Sequence, residues 1–156
     1  MSRPLLLLLL VPLVLAACGS SSESGATTPT TTPAADFVKA GNQVCIASDK
    51  RIFKIGRLGR DPNGWARTAS AARQAVREMR AVQPPAAKRT RFNQMVRYAS
   101  AVALSIQEIH DALVTKDYDT AAAGQFAAAQ LSDKVHQAAR GLGLTFCQQT
   151  LTNWPA

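Results

Sequence analysis

The order of apolar and polar positions divides the chain into three stretches. Residues 5–15 are an apolar run, residues 19–35 carry no large apolar side chain, and from Asp36 onward apolar residues recur at spacings of three and four. The first run is too short to cross a bilayer as a helix, which takes about 20 residues. The second buries too little surface to offset its ordering entropy. The third is typical of amphipathic helices, so an all-α domain is predicted over residues 36–156.

Four helices are predicted within that domain. They run from Asp36 as N-cap to about Leu58, from the Asp61-Pro62 cap to the Pro84-Pro85 break, from about Ala86 to Lys116, and from the turn at 117–119 to about Leu142. Ile46 and Phe53 are expected to widen the apolar face of the first helix. The connections are short, which favours an antiparallel four-helix bundle.

The apolar run ends in Leu15-Ala16-Ala17-Cys18, which is typical of a bacterial lipobox, and it follows a short positive start. Residues 1–17 are therefore predicted to be a lipoprotein signal peptide that is removed. Lipid on Cys18, with acyl chains such as palmitate, would anchor the protein at the extracytoplasmic face of the cell membrane. The alternative is an ordinary secretory signal with Cys18 unmodified. Residues 18–35 form a Ser/Thr/Pro linker that reaches about 55 Å when stretched, and sugars on its threonines are an alternative to a bare spacer.

Cys45 and Cys147 remain once Cys18 is assigned to lipid. Outside the cytosol two remaining cysteines most simply pair, and a return of the chain along an antiparallel neighbour brings them within reach. A redox site is disfavoured because there is no Cys-x-x-Cys, and zinc is disfavoured because further ligands are lacking. We expect a disulfide that closes the bundle and stabilises it by up to roughly 4.7 kcal/mol.

The layout of nearly the whole chain resembles a known group of proteins. The resemblance is carried by the lipobox, the linker, AGNQVC at 40–45, the Pro84-Pro85 break before a long helix, and LGLTFC at 142–147. These features are similar to the small helical lipoproteins of high-GC Gram-positive bacteria. The resemblance implies a cell-envelope location and a disulfide-closed bundle, and it transfers no activity.

The two histidines are the first candidates for chemistry. Gln107-x-x-His110 and Asp133-x-x-His136 resemble the Glu-x-x-His pairs of di-iron bundles, which also need carboxylates from the other two helices. The first two predicted helices offer none on their apolar stripes, and nothing beside either histidine argues for haem. No nucleophile elbow or phosphate-binding glycine loop occurs. We therefore predict no metal, no cofactor and no catalytic residue.

Charge carries the most functional content. Thirteen Lys and Arg stand against two acids between Lys50 and Arg97, whereas three stand against five after Arg97. Outside the cytosol nucleic acid is disfavoured as a partner, and anionic lipid, an anionic wall polymer or an envelope protein fits better. An arginine-rich genome would give the same composition without a partner. The candidate anion-binding residues are Lys50, Arg51, Lys54, Arg57, Arg73, Arg77 and Arg80.

The sequence thus favours a non-enzymatic envelope lipoprotein that presents this basic face. A second hypothesis, from another class, is a helical carrier that holds a small, lipid-like apolar ligand between alanine-rich seams. Few aromatic residues lie along these seams, so the helices can approach closely but each contact buries little apolar area.

Overall fold

The folded part of the chain is a single helical unit. The computed structural model describes residues 34–148, which belong to one compact unit bounded by residues 31 and 156. The predicted signal peptide, Cys18 and most of the linker lie outside the described residues. Within the described part every regular element is helical, and the all-α prediction is confirmed there.

Four long helices make up this unit. They are α1 (Ala34–Ile55), α2 (Pro62–Ala81), α3 (Arg89–Val114) and α4 (Tyr118–Leu142), with short 3-10 turns at Ala86–Lys88 and Phe146–Gln148. The most extensive contact joins α3 to α4, followed by α2 with α3 and then α1 with α2. The chain after α4 packs on both α4 and α1. It therefore links the first helix to the last.

The helix ends follow the capping residues in the sequence. Asp61 accepts hydrogen bonds from the backbone N–H groups of Asn63 and Gly64 at 3.0 and 2.9 Å, and Pro62 occupies the first turn of α2, as predicted. Gly143 ends α4 in the left-handed conformation (φ 80°). The predicted start of the first helix was wrong: α1 begins at Ala34, and Asp36 lies inside its first turn. A carboxylate there is favourable because it faces the positive end of the helix dipole.

The predicted width of the apolar face of α1 was also wrong. Phe53 is 85% exposed, and Ile46 is only partly buried. The reason is that α1 makes its substantial contacts with α2 and the chain after α4, which cover its stripe of Phe37, Gly41 and Cys45. No other described helix packs extensively on α1. Its outer side stays open to solvent.

The core lies between the four helices and is closed by the chain after α4. Its most buried large side chains include Trp65, Ile109 and Leu144. Phe37 of α1 meets Phe92 of α3 edge to face, with ring centroids 5.5 Å apart. Leu144 packs so closely on Gly41 that a Cβ at residue 41 would meet its methyl group.

The two cysteines of the domain meet where that segment crosses α1. The sulfur atoms of Cys45 and Cys147 lie 1.96 Å apart, which is disulfide-bond distance, and both residues are buried. The predicted pairing is therefore confirmed. The backbone N–H of Phe146 also donates to Asn42 Oδ1 at 3.1 Å. Covalent and hydrogen-bonded links together hold the segment against α1.

Candidate anion-binding face

The candidate basic residues divide between two neighbouring helices. Lys50, Arg51 and Lys54 lie in the last turns of α1, with Arg57 just beyond its end, and the three arginines Arg73, Arg77 and Arg80 lie on α2. Spacings of four and three place those arginines on one side of α2. All seven except Arg51 are exposed. The structure thus brings the candidate residues to the α1–α2 half of the molecule.

Arg51 stands apart from the other six because it is already paired. Its two terminal nitrogens donate to the two carboxylate oxygens of Glu78 at 3.0 and 2.7 Å, across the α1–α2 seam. Gln74 donates to the same carboxylate at 2.8 Å. Hydrogen bonding from the Arg51 guanidinium lowers the pKa of Glu78, so this carboxyl stays ionised. Arg51 is therefore a link between helices, and its charge is not available to a ligand.

The second acid of the basic stretch is engaged as well. Asp61 caps α2 through two backbone N–H groups and lies 3.7 Å from Arg67 Nη2. Both acids between Lys50 and Arg97 thus satisfy partners of their own. Neither forms an ion pair with any of the six exposed candidate cations, although the charge of Arg77 also contributes to lowering the pKa of Glu78.

Those six cations have either neutral partners or none in the described structure. Arg73 donates to Gln107 Oε1 at 2.7 Å and Arg80 donates to Ser100 Oγ at 3.1 Å, both on α3. Across residues 34–148, no hydrogen bond or ion pair engages the side chains of Lys50, Lys54, Arg57 or Arg77. A neutral partner orients a guanidinium without compensating its charge, so all six contribute to a positive field.

Two other basic residues between Lys50 and Arg97 form hydrogen bonds to backbone carbonyls. Lys88 donates to the Leu142 carbonyl at 2.8 Å, and Arg91 donates to the Gly141 carbonyl at 3.3 Å. These carbonyls belong to the last turn of α4, where positive charge faces the negative end of the helix dipole. Lys88 and Arg91 therefore act as caps for α4. The sequence pattern did not reveal this role because it depends on where α3 begins relative to the end of α4.

The histidines lie apart in structural positions. His110 Nδ1 is 2.9 Å from the Pro62 carbonyl, which can only accept, so this nitrogen carries the proton and ties α3 to the start of α2. His136 is 8% exposed, and its Nε2 has no hydrogen-bond partner in the described structure. Burial lowers the pKa of His136, and the negative charge of Asp133 opposes this shift by raising the pKa. Neither histidine takes part in a described cluster of His, Cys, Asp and Glu suited to a metal.

A small apolar cavity is lined by residues of all four helices and by Cys147 after α4. Its volume is about 90 Å³, and its wall is almost wholly apolar. Three alanines and both cysteines are among its lining residues. The residues that define it most clearly are Cys45, Ala72, Val76, Met95, Ala99 and Cys147.

Two further findings bear on how the site is interpreted. Of the helices between residues 34 and 148, none combines the length and the apolar character needed to cross a membrane. Comparison with known protein families, with characterised proteins and with solved structures found no match to this chain.

Proposed function

We propose that this protein is a non-enzymatic envelope lipoprotein whose helical domain binds anionic envelope components through the exposed cations of α1 and α2. The observation that carries the proposal is the imbalance of charge on this half of the molecule. Six exposed cations form no ion pair in the described structure, while both acids of the same stretch are already engaged. Each such residue contributes up to about 1 kcal/mol near an anionic membrane surface.

The lipobox supports the location of this encounter. Lipid on Cys18 would hold the domain at the extracytoplasmic face of the membrane, where anionic head groups and wall polymers are at hand. The linker between Cys18 and α1 spans at most about 55 Å, which confines the basic face to the neighbourhood of that surface.

An antiparallel arrangement of the four helices is part of this proposal. It is supported by contacts whose residue numbers rise on one helix as they fall on the next. Arg73 and Arg80 of α2 reach Gln107 and Ser100 of α3, in that order. The same reversal relates α3 and α4, since Arg91 reaches Gly141 and Tyr98 makes a cation–π contact with Lys134.

Charge reversal on exposed residues tests the proposal. Lys50, Lys54 and Arg77 have no partner to lose in the described structure, so changing all three to Glu should preserve the fold. The 31–156 unit carries its own core, and its binding to anionic vesicles and to isolated wall polymer can be measured by co-sedimentation. We expect wild-type binding that weakens as salt rises and that the triple variant loses.

The matched control reverses three cations on the α3–α4 half. Lys116, Lys134 and Arg140 changed to Glu alter the net charge by the same amount but lie on α4 or in the turn before it. If binding depends on the cations of α1 and α2, this control variant should retain most of the binding. Equal loss in both variants would mean that net charge alone is responsible, and intact binding in the α1–α2 variant would remove the proposal.

A carrier of a small apolar ligand is the second candidate, and the apolar cavity favours it. At about 90 Å³ the cavity is smaller than the engineered cavity of about 150 Å³ that binds benzene. It therefore suits a small apolar molecule or the end of an acyl chain, and not a whole lipid.

Mass spectrometry under denaturing conditions distinguishes the carrier from the surface binder. A carrier purified from its native envelope should release a stoichiometric small molecule. Filling the cavity with Ala99→Leu should abolish that release, whereas Ala122→Leu on the exposed side of α4 should not. Absence of any co-purifying molecule would reject the carrier.

A further inference from the structure

The outer side of α1 combines exposed aromatic side chains with unpaired cations. Phe53 is 85% exposed and Phe146 is 47% exposed. Phe146 is held beside α1 by the hydrogen bond from its backbone N–H to Asn42 Oδ1. Asn42, Ile46, Lys50 and Phe53 follow one another at spacings of four, four and three, so they form one stripe along α1.

Cations flank the aromatic ring at the end of this stripe. Lys50 lies one helical turn before Phe53, Lys54 follows it, and Arg57 comes just after α1 ends. The acid closest in sequence is Asp49, which is partly buried. The patch is therefore positive overall, with an apolar ring projecting from it.

We infer that this stripe, together with the neighbouring Lys54 and Phe146, is a docking surface for an anionic lipid bilayer, into whose interface Phe53 inserts. Such surfaces place aromatic rings at the level of the head groups while lysine and arginine bind the phosphates. The inference rests on the proposed function and names the lipid surface as its partner.

A bilayer suits this surface better than a protein does. A ring as exposed as Phe53, set among long cationic side chains, is a protrusion, and a stable protein interface needs about 1,000 Å² of complementary surface. Head groups, in contrast, rearrange around an isolated ring. The linker from Cys18 enters α1 at Ala34, and α1 is about 33 Å long. A linker that reaches about 55 Å allows α1 to lie flat on the bilayer.

The chain supplies a matched control in a second exposed phenylalanine. Phe126 of α4 is 68% exposed, yet residues 122–130 around it include no charged side chain. It tests whether any exposed ring suffices for insertion. The inferred surface requires the ring and the cations together.

The experiment compares Phe53→Ser with Phe126→Ser in the 31–156 unit. Binding is measured on vesicles of phosphatidylcholine mixed with phosphatidylglycerol, and on phosphatidylcholine alone. We expect Phe53→Ser to weaken binding to the anionic vesicles about tenfold, because the ring no longer leaves water. Phe126→Ser should bind as the wild type does. At high salt the Phe53→Ser variant should still bind more weakly than the wild type, because the contribution of the ring to binding is not electrostatic.

Tryptophan at the same two positions gives a direct readout of insertion. Each spectrum is compared with that of the wild type, because Trp65 and Trp154 also emit. Relative to the wild type, the emission added by Phe53→Trp should shift to the blue on anionic vesicles and be quenched by brominated lipid, whereas that added by Phe126→Trp should do neither. Unquenched Phe53→Trp, or equal binding by the two serine variants, overturns the inference. If reversal of Lys50, Lys54 and Arg77 still abolishes binding in that case, the proposed function stands without insertion. Retention on wall polymer with no vesicle binding would overturn the lipid assignment alone.

Discussion

The α3–α4 seam and the seam around α1 are held together by different means. α3 and α4 share the broadest contact of the domain, where Ile109 is fully buried against Gly124 and backbones approach closely. α1 shares a smaller contact with α2 and depends on discrete links, namely the cysteine pair, the Arg51–Glu78 ion pair and the Asn42 hydrogen bond. On the half secured by discrete links, an exposed ring, Phe53, lies next to exposed cations, whereas the exposed Phe126 of α4 has no charged residue within four positions.

This difference indicates how a small helical domain can keep a surface available for binding. Broad packing covers both sides of a helix, as it does for α3 between α2 and α4. A helix at the edge of the bundle buries one stripe and leaves the other in water. A covalent link at Cys45 compensates for the packing that α1 lacks. The outer side of α1 is then free to carry Phe53 and the lysines.

Loss of the disulfide should have the largest effect on this comparison. We expect Cys45→Ala with Cys147→Ala to lower the free energy of unfolding by roughly 2–5 kcal/mol, measured by denaturant titration of the 31–156 unit. Hydrogen exchange should then show α1 amides losing protection while α3 and α4 amides retain it. Uniform loss of protection across all four helices would contradict the idea that α1 depends on a local link.

A cavity in the α3–α4 seam should act on the whole domain. Ile109→Ala removes a fully buried side chain beside Gly124, and we expect it to lower the free energy of unfolding by about 3 kcal/mol. Because this seam is the broadest contact, protection should fall in all four helices. The control Val114→Ala, at an exposed position of the same helix, should cost little. Loss of protection in α4 alone would show that the α3–α4 seam, like the seam around α1, stabilises only the helices next to it.

The Arg51–Glu78 pair should contribute less. We expect a double-mutant cycle with Arg51→Met and Glu78→Gln to give a coupling energy of about 1 kcal/mol, since both side chains are partly exposed. Hydrogen bonding from Arg51 lowers the pKa of Glu78 below its usual 4.5, so the pair stabilises the fold above that pH. The stabilisation should disappear as the pH falls through the folded-state pKa. A coupling that is independent of pH in this range would argue against an ionised Glu78.

The parts that sequence could predict are those governed by local chemistry. Asp61 with Pro62, and Gly143, mark helix ends because their caps depend on a few neighbouring residues. The pairing of Cys45 with Cys147 followed from the number of cysteines and the helix order. Sequence also gave the seven candidate cations, but only as a charged region.

The parts that sequence missed depend on which helices are neighbours. The spacing of Phe53 fits an apolar stripe, but its burial requires a neighbour on that side of α1, and the described fold provides none. The bond from Arg51 to Glu78 spans 27 residues, and the bond from Lys88 to the Leu142 carbonyl spans 54. Long side chains reach partners that no local pattern specifies. Charge counting therefore overstated the number of cations available to a ligand.

Replacement of His136, which lies on α4, should have the smallest effect on stability. Burial lowers its pKa in the folded state, so the unfolded chain takes up a proton first as the pH falls below about 6.5. The free energy of unfolding should therefore decline from neutral pH through that value and level off below the folded-state pKa. His136→Gln should remove this decline, as measured by thermal unfolding at a series of pH values.

A swap of neighbouring residues separates burial from composition. His136→Gln combined with Gln137→His moves the imidazole to an exposed position of α4 without changing the residue content. An exposed imidazole keeps similar hydration in the folded and unfolded chain, so its proton uptake does not alter the free energy of unfolding. We expect the swap variant to match His136→Gln. A decline that returns with the swap would assign the pH dependence to the positive charge of Arg140, and not to burial, because the negative charge of Asp133 shifts the pKa in the opposite direction.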